Sequence, residues 1–185
     1  ERFFKKSNIS TTFFAILLNT QRLSRDQRKA VRQFIDPKAL MDRLYKVDTE
    51  QQRHIVDYKG NEDNYSDYLN YSVFPSSSYY VEEQIVTPRR DTAEPDLSAL
   101  PDTLRIVAVA NYGYREEYNE LVEALNDENL FFNKIQATVI QNEDIARGDY
   151  DGILIAFTGY KSNFLFDLYD IFLRTPDLAT YRINL

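Results

Sequence analysis

Between residues 104 and 173 the hydrophobic positions switch repeatedly between two periods. Leu104–Ala110, Ile135–Gln141 and Gly152–Phe157 are short, nearly continuous apolar runs. The stretches between and after them repeat at helical spacing instead. Tyr118, Leu121, Val122 and Leu125 mark one helix within Tyr114–Asn126; Leu165, Leu168, Tyr169 and Phe172 mark another, which Pro176 stops. A shorter helix is expected from an Asn142 cap through Ile145, with Gly148 ending it. Apolar runs of this length, separated by helices, predict parallel strands buried on both faces and joined by crossovers. The expected fold class is therefore α/β, an open and mostly parallel sheet with helices on both faces. Residues 104–173 form its βαβαβα core.

Ahead of that core, Thr11–Leu18 (TTFFAILL) predicts one more buried strand, rich in aromatic and branched residues. After a loop at Asn19–Leu23, Ser24 and Gln27 have the spacing of a capping box for a helix over Asp26–Phe34. Asp36 caps a second helix with Pro37 in its first turn, and Phe34–Ile35 between the two should pack inward. Residues 47–103 break the pattern. They are polar and tyrosine-rich, are interrupted by Pro75, Pro88, Pro95 and Pro101, and predict an irregular excursion with short strands or turns near Ser72–Phe74 and Glu83–Val86. So many aromatics predict that part of the excursion packs on the body. The whole of 1–185 thus reads as a single lobe.

Composition narrows the functions. A net charge of −7 lacks the basic face that phosphate neutralisation requires, so nucleic acid is not an expected partner. No apolar run reaches the roughly 20 residues that span a bilayer, and the first residues lack a signal-peptide pattern. A start at Glu rather than Met fits a piece of a longer protein, with its targeting information elsewhere. The absence of cysteine removes disulfides and thiolate metal sites.

Open parallel sheets bind ligands outside the carboxyl ends of their strands. Here those ends fall at Asn111–Gly113, Gln141–Asp144 and Thr158–Lys161. Asn111 and Tyr112 precede a helix N-terminus, whose amides suit anions or carbonyls; the alternative is a simple turn using Gly113. Phe157, Thr158, Gly159, Tyr160 and Lys161 follow or end the last apolar run, against the alternative of a solvated loop. Asp149 and Asp151 read as turn-shaping residues rather than metal ligands, because no second ligand pair is spaced to help. Glu116, Glu117, Glu120 and Glu123 read as the wet face of a helix, and the lone His54 as a surface residue. Neither a nucleophile elbow nor a phosphate loop occurs. A binding lobe with no catalytic residue, metal or cofactor is the expectation, not an enzyme.

Three segments also resemble a known family. ILLNTQRLSRDQRKAVRQFIDPKALMDRLY, Leu104–Leu125 and Ala146–Tyr160, the last with its Gly148-Asp149-Tyr150-Asp151 turn, are similar to the C-terminal lobe of family 5 extracellular solute-binding proteins. This is the oligopeptide and dipeptide class of ABC importers. The resemblance covers somewhat over half the chain and implies a lobe like those of type II periplasmic binding proteins. It implies a monomeric, two-lobed receptor, periplasmic or lipid-anchored outside the cell, that closes on a peptide or other small solute and delivers it to permease subunits. The chain departs from the family where a Trp and a following Asp usually meet the peptide α-ammonium: Phe157, Tyr160 and Lys161-Ser162-Asn163 stand there. A phenol does not replace a carboxylate as a counter-ion. A ligand-sensing domain of a transcriptional regulator, built on the same lobe, is the alternative expectation.

Overall fold

The computed structural model describes residues 13–41, 69–72, 74, 79–87, 89–109, 114–141, 145 and 147–157. Four strands among them, β1 (Phe13–Leu18), β2 (Leu104–Val109), β3 (Ile135–Ile140) and β4 (Gly152–Phe157), join in one sheet of order β1-β4-β2-β3. β2 runs parallel to β3 from Leu104↔Ile135 to Val109↔Ile140, and parallel to β4 from Ile106↔Gly152 to Ala108↔Leu154. The three apolar runs of the core are thus the three parallel strands that their pattern predicts. β1 adds an antiparallel edge, pairing Leu18 with Gly152 and Phe13 with Phe157.

The helices are α1 (Arg25–Phe34), α2 (described over 37–41), α3 (Tyr79–Glu82), α4 (Arg115–Leu125) and α5 (Glu128–Phe131). Alternation along each strand sends side chains to two faces. On one face Leu104, Ile106, Ala108, Ile135, Ala137 and Leu154 meet Ala30 and Val31 of α1, Tyr118 and Leu125 of α4, and Phe131 of α5. On the other, Val107, Val109 and Ile153 pack with Ile145 and Tyr150 from the β3–β4 connection. Both faces of β2 and β4 are covered, whereas β3 alternates: Ile135 and Ala137 are buried, and Gln136, Thr138 and Val139 are exposed, so the expectation of burial on both faces does not hold for β3.

Local chemistry sets the element ends. The Ser24 hydroxyl accepts from the Gln27 amide while the Gln27 side chain accepts from the Ser24 amide, so both halves of the expected capping box form. Asp36 Oδ1 accepts from the Lys38 amide at 3.1 Å at the start of α2. Ile35 is buried as expected, and Phe34 meets Phe131 edge-on at 5.6 Å. Asp127 caps α5, a turn that the apolar periodicity does not reveal because only Phe131 of it is buried. Phe132 and Asn133, at φ 51° and 56°, then turn the chain into β3. At the β3 edge the Asn126 carboxamide acts as a one-residue strand: its Nδ2 donates to the Ala137 carbonyl and its Oδ1 accepts the Ala137 amide, at 2.9 and 2.8 Å.

The excursion is partly described, and of the two expected forms, strand or turn, it takes the turn. Glu83–Val86 is a turn closing helix α3; Gln84 adopts φ 57° and the Val86 amide donates to the Tyr80 carbonyl. Ser72 and Phe74 are not in a strand either: Asn70 Oδ1 and Ser72 Oγ take the amides two residues on, which holds the backbone in local turns. Packing onto the body does occur, through Tyr71 and Arg90 to the Asp36 carboxylate. His54, the helix expected at Phe164–Leu173 and the cap at Asn142 lie outside the described residues.

β1 and β4 approach each other closely because position 152 has no side chain. A Cβ there would meet Ile16 Cγ2 at 3.0 Å and Leu18 Cδ2 at 3.5 Å. Gly152→Val is therefore expected to cost about 1–3 kcal/mol through overpacking, read as a lower urea midpoint with unchanged slope; a midpoint equal to wild type would show that the strands have room.

Candidate ligand-binding rim

Because β2, β3 and β4 run in one direction, their last residues Val109, Ile140 and Phe157 lie along one rim of the sheet. The chain leaves β2 through α4 and α5 on one face to reach β3, then returns across the other face through Ile145 and Tyr150 to β4, on the far side of β2. The connections therefore diverge between β2 and β4. Such a switch point, at the carboxyl rim, is where open α/β sheets place ligands.

The pairing itself loosens there. Among the described residues the β2–β4 ladder runs to Ala108↔Leu154, while β4 pairs with β1 as far as Phe157. Beyond that point the Ala156 amide donates to the phenolic oxygen of Tyr118 at 2.8 Å. Tyr118 is fully buried on α4, and Phe14 of β1 meets its ring edge-on at 5.4 Å and that of Tyr114 at 5.8 Å. Periodicity places Tyr118 correctly on the buried stripe of α4. It does not reveal the hydrogen bond; the only sign is a polar tip among Leu121, Val122 and Leu125.

Of the residues the sequence nominates, Phe157 is the last of β4, with its backbone opposite Phe13. Asn111, Tyr112, Thr158, Gly159, Tyr160 and Lys161 lie outside the described residues; in the chain they follow Val109 and Phe157, which both end at this rim. Nearby, the first turn of α4 carries Glu116 and Glu117, both exposed together with Glu120 and Glu123, so that face is wet as expected. Two carboxylates beside a helix N-terminus offset its attraction for anions. Neutral carbonyl groups are better matched to it.

The opposite rim is tied shut. Asp151, whose side chain is only 7 % exposed, accepts Arg22 Nε at 2.8 Å on one carboxylate oxygen and the Arg105 amide at 2.8 Å on the other. Its carbonyl takes the Asn19 amide and its own amide donates to the Arg105 carbonyl, both at 2.8 Å. Asn19, likewise buried, donates from Nδ2 to the Tyr150 carbonyl at 2.9 Å and accepts the Gln21 amide on Oδ1. The Arg22 guanidinium is held above its ordinary value chiefly by the hydrogen bond to Asp151, with partial burial opposing it and the charges of Asp151 and Asp149 adding to it. Asp149 reaches Arg105 at 2.7 Å and Arg22 at 3.2 Å, but its side chain is 59 % exposed. Both aspartates shape the turn, as their spacing predicts. Among the described residues no group of three metal-ligating side chains gathers, and no helix is long and apolar enough to cross a membrane.

No protein-family model and no curated protein matches the chain. Solved structures do. OppA of Haemophilus influenzae, in complex with RPPGFSPFR, superposes at a TM-score of 0.55 with 13 % identity, over 95 % of this chain and 35 % of that one. The unliganded open form of the periplasmic murein tripeptide binding protein MppA gives 0.51 with 12 % identity, over 95 % and 34 %. Both are solute-binding proteins of the class that the sequence resembles. The fold is therefore that of a lobe of these proteins, and the chain spans about a third of their length.

The two aspartates should differ sharply in energy. Asp151→Asn leaves a buried site with two donors facing an amide and is expected to destabilise by about 2–3 kcal/mol. Asp149→Asn, in an exposed pair, should cost under about 1 kcal/mol. Urea unfolding measures both; equal losses would contradict the assignment of Asp151 as the tie.

Proposed function

We propose that this chain is one lobe of a two-lobed receptor that captures a peptide or similar small solute and passes it to the permease subunits of an ABC importer. One observation carries this reading: three parallel strands end on a single rim, at a switch point, in a lobe that superposes on peptide-binding proteins. The carboxyl rim is the jaw. Asn111 and Tyr112 after β2, and Phe157, Thr158, Gly159, Tyr160 and Lys161 at and after the end of β4, are the proposed contacts. Thr11–Asn19 lies near the crossing to the other lobe.

The mechanism needs no bond to be made or broken, so no residue is assigned a catalytic role. Solute touching both lobes binds the closed form more tightly than the open form and shifts the hinge equilibrium by that difference. With Tyr160 and Lys161 in place of a carboxylate, the ligand is held by flat aromatic faces and by hydrogen bonds to its carbonyls, not through a paired α-ammonium. The whole protein works outside the cytoplasm as a monomer, with neither nucleic acid nor a membrane-inserted segment of this lobe involved.

Calorimetry of the whole protein with the nonapeptide RPPGFSPFR and a panel of tripeptides and amino acids tests this. Stoichiometric binding is expected, and Tyr160→Ala should weaken it about tenfold, as loss of one stacked aromatic contact does, with an unchanged unfolding midpoint. Failure of every peptide and amino acid to bind, or turnover of the peptides, would overturn the receptor reading. Unaltered affinity in the variant would remove Tyr160 from the site.

A further inference from the structure

The carboxyl end of β4 is supported unevenly. Up to Leu154 it has a strand on each side; from Ile155 to Phe157 it has β1 on one side and, among the described residues, no β2 pair on the other. In a sheet that simply continued, the next amide would meet a backbone carbonyl. Here the Ala156 amide meets a side chain instead, the phenol of Tyr118, which α4 brings from the helix-covered face. The ring is wholly buried and braced edge-on by Phe14, itself on the β1 neighbour of β4. Phe14 is the register partner of Ala156. Three elements, β1, β4 and α4, therefore converge on one backbone amide two residues after the last described β2 pair.

We propose that Tyr118 is a positioning residue for ligand binding: by taking the Ala156 amide it fixes the end of β4 at the switch point. Without that bond the Ala156 amide would lose its side-chain partner, and the end of β4 would hold its direction less tightly. Ordering that end on binding would then subtract from affinity. Tyr118 itself sits beneath the rim and touches no solute. The inference rests on the reading of this rim as the binding edge.

Tyr118→Phe removes the acceptor and keeps the ring against Phe14. In the whole protein, hydrogen exchange read residue by residue should speed up at Ala156 by about tenfold or more while Leu154 stays protected. Affinity for whichever of RPPGFSPFR and trialanine binds wild type should fall about fivefold, the size of one net hydrogen bond. Asn126→Ala is the matched control: it loses two hydrogen bonds at the β3 edge, lowers stability and should leave affinity unchanged. Unchanged exchange at Ala156 in Tyr118→Phe, or an equal affinity loss in Asn126→Ala, would overturn the positioning role. If neither peptide binds wild type, the receptor reading fails on that result, and exchange at Ala156 alone decides whether Tyr118 holds the strand end.

Discussion

A buried carboxylate governs how this lobe is put together. Asp151 sits where β1 ends, β4 begins and β2 enters, and its two oxygens and its backbone bond to Asn19, Arg22 and Arg105 at once. A charge so little exposed is costly unless fully partnered, so the three segments are held to one arrangement. That arrangement places the edge strand, the antiparallel turn and the parallel pair in register at the amino rim. Once the amino ends are pinned, parallel geometry sends all three carboxyl ends to the other side. Rigidity on one rim thus leaves the opposite rim as the place for chain that contacts a partner.

The opposite rim differs in kind. The connections diverge there, the described β2–β4 pairs end at Leu154, and beside β1 the phenol of Tyr118 supports the Ala156 amide of β4. Tight ionic and backbone bonding at one end and side-chain support at the other fit the proposed receptor jaw. The first turn of α4, with two carboxylates beside it, adds a preference for neutral carbonyl acceptors over free anions.

Much of this was legible in the residues, for identifiable reasons. Central parallel strands need long apolar runs, so Leu104–Val109 and Gly152–Phe157 announce themselves, while Ile135–Ile140 is read from Ile135, Ala137, Val139 and Ile140 between its exposed Gln136 and Thr138. Ser24–Gln27 and Asp36 act within their own turns, and local chemistry can be read locally. What could not be read were bonds between segments distant in sequence: Asn19 to Tyr150, Asn126 to the β3 edge, Tyr118 to Ala156. At Glu83–Val86 the residues left strand or turn open, and the left-handed Gln84 after a helical turn decides for the turn. At the rim, the strand ends were foreseen, whereas the residue beneath them was seen only as one more member of an apolar stripe.

The central claim is that solute meets this lobe at the carboxyl ends of its parallel strands. Hydrogen-exchange mass spectrometry of the whole protein, with and without saturating peptide, addresses it directly. Peptide should slow exchange in fragments around 109–114 and 155–161 and leave those around 19–23 and 148–151 unchanged. Protection confined to the Asp151 rim, or none on this lobe while peptide is bound, would contradict it.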